Sequence, residues 1–473
     1  MFSDLSSSTE HKELSMKRLV FAITGFLQLV PLTALAIPQN TRLFCEGYPG
    51  SPLCVNQATV CTTCHSQAPN LNPYGLDLKT ELTHFPDYDR KPAAFQKYLK
   101  PVMVTVEGRD SDADGDTNGI EIDAGTAPGD ANQKPGQDAL LVFDPELALR
   151  RVSLLFCGSS PAPEELQKQR DNVDPILKRQ WRQDYLAQCL RSDYWKNEAL
   201  QRLADDKIRP NLAIGAEGDP FVIGDYMYDY RLFAFALSEG HDARDLLLAQ
   251  YHINEKGQKV EGPIASYPIP GKSVIGNGQP LQIDRRYGML TTQWFIALNT
   301  MFADIPRNTA AQAYRSYLGY DIAKSEGLFP IDHEPKDYDQ KGVQQPACAF
   351  CHSTLDPLSY AFTPYAGLAV RGHQVGTYVP ERTQYEGLGY LFGEPVANLG
   401  DWAQKAAASD AFKQSLTMMF YQFSVGHAPR TSQQRADFAK IWQNLDDDGY
   451  SADRLIQRLV ETLSFAGRVS DAE

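Results

Sequence analysis

A chain of 473 residues, 42% of them hydrophobic, is long enough for two or three domains, each with its own core. Its 59 acidic residues outnumber 45 basic ones, for a formal net charge of −14 at pH 7. That balance argues against nucleic acid and anionic membrane surfaces as partners, and it favours a basic partner, because complementary fields speed weak encounters.

The first recognisable element is MKRLVFAITGFLQLVPLTALA at residues 16–36. A basic start (Lys17, Arg18), an apolar run and a small-x-small end (Ala34, Ala36) have the form of a secretory signal. The expected signal peptide covers residues 1–36, with Met16 as an alternative start. Gln28 and Pro31 interrupt the apolar run, which falls short of the roughly 20 apolar residues of a spanning helix. No later stretch reads as a transmembrane segment, so the mature protein is expected to be exported, to a periplasmic or extracellular location.

Next comes CTTCHSQAP at residues 61–69, and a near-copy, CAFCHSTLD, occupies residues 348–356. Cys-x-x-Cys-His is the attachment pattern of c-type haem: two thiols bond the porphyrin vinyl groups and the adjacent His ligates the iron. Cys61, Cys64, Cys348 and Cys351 are the expected thioether anchors, with His65 and His352 as proximal iron ligands. Zinc would need four ligands, and neither motif has a second Cys pair or a His-x3–5-His nearby. A redox dithiol would not need the His. Of the eight cysteines, Cys45, Cys54, Cys157 and Cys189 remain. In an oxidising compartment they suggest two disulfides, most simply Cys45–Cys54 and Cys157–Cys189; connectivity stays open, with Cys157 as a buried free thiol the alternative.

Residues 37–137 are expected to form a monohaem, cytochrome c-like domain. Behind its haem motif lies a helical stretch at residues 92–103, then DSDADGDTNGIE at residues 110–121. Laid on a calcium loop, Asp110, Asp112 and Asp114 fall at positions 1, 3 and 5, with Gly115 at the tight turn. Asp116 offers its carbonyl at position 7, Asn118 stands at 9 and Glu121 supplies the bidentate carboxylate at 12. Flanks less helical than a paired EF-hand requires suggest one structural Ca2+ and no sensor. The combination of CTTCH, LNPYG and the aspartate-rich loop resembles small secreted haem domains braced by a thrombospondin-repeat-like calcium loop.

Residues 138–282 read as a helical middle region with long Gly- and Pro-rich loops. Tyr226, Tyr228 and Tyr230 alternate as a strand would. Residues 283–473 are expected to be a second monohaem domain. RRYGMLTTQWFIAL, CAFCHSTLDPLSYAFTPYAGLAVRG, FKQSLTMMFYQFSVGH and DDGYSADRLIQRLVETLSFAGR follow in an order that resembles the C-terminal haem domain of planctomycete-type cytochromes. LLFCGSSPAPEEL resembles a helical module often found upstream in that family. The chain departs from the family in having Gly426-His427 where a Gly-Arg pair is usual. The resemblance implies haem and electron transfer and names no substrate.

The second axial position of each iron is filled by His or Met in most electron carriers. Met103 and His84 are the candidates in the first domain. For the second haem, Met419 shares a helix face with Phe412, Leu416, Phe420 and Phe423, while Met418 points away and His427 falls near that face if the helix runs past Gly426. The expected fold is therefore mainly α, two c-type haem domains joined by a helical middle region. The expected function is single-electron transfer by two covalently bound haem c groups. Two alternatives are a dihaem peroxidase or oxygenase with one open haem, and a haem-bearing subunit or scaffold of a larger redox complex.

Overall fold

Proline after a short polar residue opens three of the helices, at Asn72-Pro73, Asp144-Pro145 and Asp174-Pro175. The computed structural model describes residues 38–54, 58–67, 69–85, 88, 92–135, 141–208, 221–222, 226–263, 273–274, 278–368 and 375–469. The signal segment expected at residues 1–36 lies outside them. The chain is mainly helical, and the described strands form only two-stranded pairings.

A first module holds α1 (Pro38–Gly47), α2 (Pro73–Leu82), α3 (Pro92–Val106) and α4 (Asn118–Ala124). Its core is small, built on Phe44, Tyr74, Leu78, Leu99, Val102, Met103 and Ile122. A core of that size gains from a staple, and the Cys45–Cys54 disulfide supplies one. Helices α1 and α3 meet at Gly47, where an added Cβ would lie 2.7 Å from the Met103 methyl.

The larger body begins with α5 (Pro145–Val152), α6 (Pro163–Asp171), α7 (Pro175–Cys189), α8 (Leu200–Ile208), α9 (Tyr226–Ala236) and the single turn α10 (Asp245–Leu248). Asp144 and Asp174 cap α5 and α7, each accepting the backbone N–H groups of the two residues that follow the opening proline. It continues through α11 (Gln293–Thr300), α12 (Arg307–Leu318), α13 (Pro346–Tyr360), α14 (Leu399–Ala407) and α15 (Asp410–Val425). It closes with α16 (Ser432–Gln443), α17 (Ala452–Leu459) and α18 (Leu463–Ala466). The Cys157–Cys189 disulfide fastens the turn after α5 to the end of α7.

One apolar core runs through this body, taking residues from Ala148 to Ala466. It crosses the border expected near residue 282. Trp294 donates its indole N–H to the Ile208 carbonyl at 2.8 Å, and Trp195 packs on Phe420 and Phe423. The middle and C-terminal stretches thus share their packing. The strand Leu141–Phe143 pairs antiparallel with Gly467–Val469, joining the two ends of the body. The strand expected over the three tyrosines is a helix instead: Tyr226 and Tyr230, one turn apart on α9, stack at 6.0 Å and are both buried. Their i, i+4 spacing fits a helix as well as their period of two fits a strand, and the core selects the helix.

Helix α13 carries Pro357 in its interior. Proline has no N–H, so the Ser353 carbonyl one turn back is released from the helix ladder. Ile331 N–H donates to it at 3.0 Å, and Phe329 N–H donates to the Thr354 hydroxyl at 2.9 Å. A strap at residues 329–331 is thereby fixed along α13. The first module rests on this strap, with the Arg42 guanidinium of α1 lying 3.7 Å over the Phe329 ring. Arg435 of α16 makes a second tie, donating through Nε to the Gly125 carbonyl at 2.8 Å. No helix among the described residues is long and apolar enough to cross a membrane.

Candidate metal and cofactor sites

The two Cys-x-x-Cys-His motifs adopt different backbones. In the first, residues Cys61–Thr63 form a tight 3-10 turn and His65 opens a short strand. Asn72 organises this loop. It is buried, donates from Nδ2 to the Thr62 and Thr63 carbonyls at 3.0 Å each, and accepts Gly75 N–H at 2.9 Å as the cap of α2. The Cys64 carbonyl presses on α2 so closely that a Cβ at Gly75 would lie 2.1 Å from it. That contact is why LNPYG follows the motif. His65 Nδ1 is buried with no hydrogen-bond partner.

In the second, the motif occupies the first two turns of α13. His352 Nδ1 lies 2.7 Å from Asp356 Oδ1, one turn along the helix. Arg307 of α12 grips Asp356 at 2.6 and 2.7 Å and Asp339 at 2.6 and 2.9 Å. Burial pushes the Asp356 carboxyl up, but hydrogen bonds from Arg307 and His352 outweigh it and hold the group below the usual carboxylate range. An ionised Asp356 only accepts, so the His352 proton sits on Nδ1 and Nε2 keeps its lone pair for a metal. The clamp was not anticipated, although His352 and Asp356 stand four apart in a helical stretch, the spacing at which side chains meet.

In both motifs the outer cysteine, Cys61 or Cys348, is exposed, while the inner one, Cys64 or Cys351, is half-buried. Burial, then the neighbouring Cys61, pushes the Cys64 thiol up to about 12; burial and Cys348 raise Cys351 likewise. A redox dithiol depends on a depressed thiol, so the shift runs against that use.

A cleft of about 1120 Å³ lies between module and body. Cys61 and Arg42 contribute from the module; Arg202, Lys207, Arg315 and Lys324 contribute from the body, along with Asp206 and Glu326. Five cations against two acids is an inversion of the chain's overall charge. Burial pushes Lys207 down to about 8, and neither Lys207 nor Lys324 makes an ion pair among the described residues. The apolar wall comprises Leu203, Leu328, Met418, Met419 and Phe423. An apolar wall ringed by cations would suit a flat apolar body bearing carboxylates, but of the first motif only Cys61 is among the lining residues; Cys64 and His65 are not. No stretch of sequence pointed to this cleft, because its cations come from four separate segments.

The sixth-ligand candidates are scattered. Met103 is buried in the module core against Gly47. His84 is exposed and pairs with Glu81 at 3.3 Å. Met419 lines the cleft together with Cys61, and Met418, expected to point away, lines it too. Helix α15 stops at Gly426 (φ +93°), so His427 lies beyond it, with Nδ1 against the Ala428 carbonyl at 2.7 Å.

The aspartate-rich loop is flanked by α3 and α4, more helical than expected. Carboxylate oxygens of Asp110, Asp112 and Asp114 lie within 4.8 Å of one another. Backbone N–H groups of Asp114, Gly115 and Asp116 satisfy one side of the ring of acids. On the other, Asp112 Oδ2, Asp114 Oδ2 and both oxygens of fully buried Glu121 have no partner. Burial, followed by Asp112, Asp114, Asp110 and Asp116, pushes the Glu121 carboxyl up to about 8. Four orphaned acceptors in one acidic loop are what a hard cation would satisfy, although Glu121 lies outside the close cluster of Asp110, Asp112 and Asp114. Asn118 is committed elsewhere: it donates to the Val106 carbonyl and the Ser111 hydroxyl and accepts Ser111 N–H. Lys134 reaches the Asp114 carbonyl and approaches Asp116 at 3.7 Å.

Compared with models of known protein families, with curated proteins and with solved structures, the chain matches none.

Proposed function

We propose that the chain is an exported dihaem c-type cytochrome that passes single electrons, with Cys61, Cys64 and His65 holding one haem and Cys348, Cys351 and His352 the other. The observation that carries the reading is the repeated motif, each copy with an outer cysteine at the surface. A porphyrin edge anchored there would stand near solvent, where a partner protein exchanges electrons. The raised thiols disfavour the dithiol alternative, and the His352–Asp356–Arg307 clamp suits an iron ligand whose orientation must persist through redox cycling. Haem supplies the redox chemistry; the chain's residues orient it, exclude water and set its potential. Two disulfides favour an oxidising compartment. One Ca2+ at Asp110, Asp112, Asp114 and Glu121, with Asp116 at its edge, would brace the first module, and the acidic surface would suit a basic redox partner.

The test is a mass. Protein produced with a haem-maturation system should carry two covalent haems that survive acid–acetone extraction, and Cys61→Ala/Cys64→Ala or Cys348→Ala/Cys351→Ala should each remove one. An unmodified wild-type chain would end the reading.

A further inference from the structure

The cleft between module and body gathers a charge opposite to that of the chain as a whole. Cys61 is the one residue of the first motif on its lining; Cys64 and His65 are absent from it, as are Cys348, Cys351 and His352 of the second. An iron bound at either histidine therefore does not account for the space.

Its lining is of two kinds. One wall is apolar, built from Leu203 of α8, Leu328 just ahead of the strap, and Met418, Met419 and Phe423 of α15. The rest is largely cationic, and the cations are unequally engaged. Arg42 pairs with Glu46 at 2.8 Å and Arg315 with Asp321 at 3.0 Å, although the Arg315 Nε is buried without a partner. Lys207 and Lys324 make no ion pair among the described residues. Of the two acids on the lining, Glu326 already accepts the Asp321 N–H at 2.9 Å. Asp206 favours the charged Lys207 amine, but burial outweighs it and pushes the amine down to about 8. Lys207 and Met419 also share a small cavity behind the cleft with Phe412 and Leu416, so the ammonium-bearing residue stands against the apolar wall.

An ammonium held away from water without a counter-ion is costly, and an arriving carboxylate would relieve that cost through charge-assisted hydrogen bonds. An inorganic anion would answer the lysines and leave the apolar wall wet. A neutral lipid would cover the wall and leave the lysines unanswered. A volume of about 1120 Å³ has room for a ligand that does both.

We propose that the cleft binds a small amphipathic organic anion, whose carboxylate is taken by Lys207 and Lys324 and whose apolar body lies on the α15 wall. The site needs no metal and does not depend on haem attachment.

The test is calorimetric titration of the full-length protein, produced with a haem-maturation system. Decanoate should bind saturably at one site. Acetate, which has the head without the body, and decyltrimethylammonium, which has the body with the opposite charge, should each bind at least roughly tenfold more weakly. Lys207→Met and Lys324→Met should each weaken decanoate by roughly tenfold, the size of one lost charge-assisted bond. Met418→Asp, which sets a negative charge on the apolar wall, should weaken it too, while Lys256→Met, on an exposed turn outside the lining, should leave it unchanged. Unaltered melting temperatures in the lysine variants separate loss of binding from loss of fold. The Cys61→Ala/Cys64→Ala chain should bind decanoate as wild type does. Decanoate that does not saturate, equal affinity for decyltrimethylammonium, or full affinity in Lys207→Met/Lys324→Met overturns the proposal. So does binding by the Cys61→Ala/Cys64→Ala chain alone, since a haem would then fill the cleft in the native protein.

Discussion

The same five-residue pattern folds in two ways in this molecule. Cys61–His65 pass through a 3-10 turn into a strand held by Asn72, and His65 Nδ1 has no partner. Cys348–His352 lie on α13, where His352 is fastened to Asp356, which Arg307 holds together with Asp339. The motif therefore carries chemistry and no conformation of its own. What surrounds it decides whether the imidazole is braced by charge or left to its backbone. If both hold haem, the second should be the more rigid in ligand orientation and the lower in potential, because a carboxylate on Nδ1 increases imidazole basicity.

The largest test of that contrast removes the clamp. Arg307→Leu leaves buried Asp356 and half-buried Asp339 without their cation. The loss should be about 3–5 kcal/mol in denaturant unfolding of the body. Asp356→Asn keeps the shape but neutralises the charge beside His352; the second haem's midpoint potential should rise while the first's stays put. Equal shifts at both haems would break the comparison.

A smaller effect is expected at the acidic loop. Calcium at ten times its Kd should stabilise the first module by about 1.4 kcal/mol, with no change in the second haem's spectrum. In chelator the same module should be pH-sensitive. Folding raises the Glu121 carboxyl from 4.5 to about 8, so the folded state holds that proton more tightly than the unfolded chain. Its contribution is present in full below about 4.5 and is lost as pH climbs through about 8. Melting temperatures of the chelated protein should therefore fall across that range, and Glu121→Gln should flatten the dependence. A pH-independent chelated protein would contradict the assignment.

The smallest expected change is at Asn72. Asn72→Ala removes the α2 cap and two bonds to the Thr62 and Thr63 carbonyls, at a cost of about 1 kcal/mol to the first module. Hydrogen exchange at residues 61–65 should accelerate while α13 is unaffected.

Much of the fold was legible because its signs are local. Prolines behind Asp144 and Asp174, and the spaced apolar residues of α15, mark helices without reference to anything distant. The cysteine pairs left over from the two motifs are close enough in sequence for the simplest pairing to be the one formed. The tyrosines at 226, 228 and 230 were read with the wrong period because two periodicities fit them equally. The Gly- and Pro-rich loops before residue 282 suggested a domain border there, yet Trp294 and Ile208 bond across it. Asn118 fits a calcium position by count, but its carboxamide is taken by Val106 and Ser111. The cleft could not be foreseen: that residues 61 and 419 line one space leaves no trace in either stretch alone.

The pairing of Leu141–Phe143 with Gly467–Val469 also has a meaning in time. A chain emerging from its N-terminal side presents Cys61 and Cys64 early, and the first module has its own core and staple with which to fold. The body is different, because one of the two strands that fasten it is among the last described residues to appear. Until then α13 belongs to an open chain, and Cys348 and Cys351 are within reach of whatever modifies them. The strand pair sets an order of assembly: first motif, second motif, then closure of the body that holds the second.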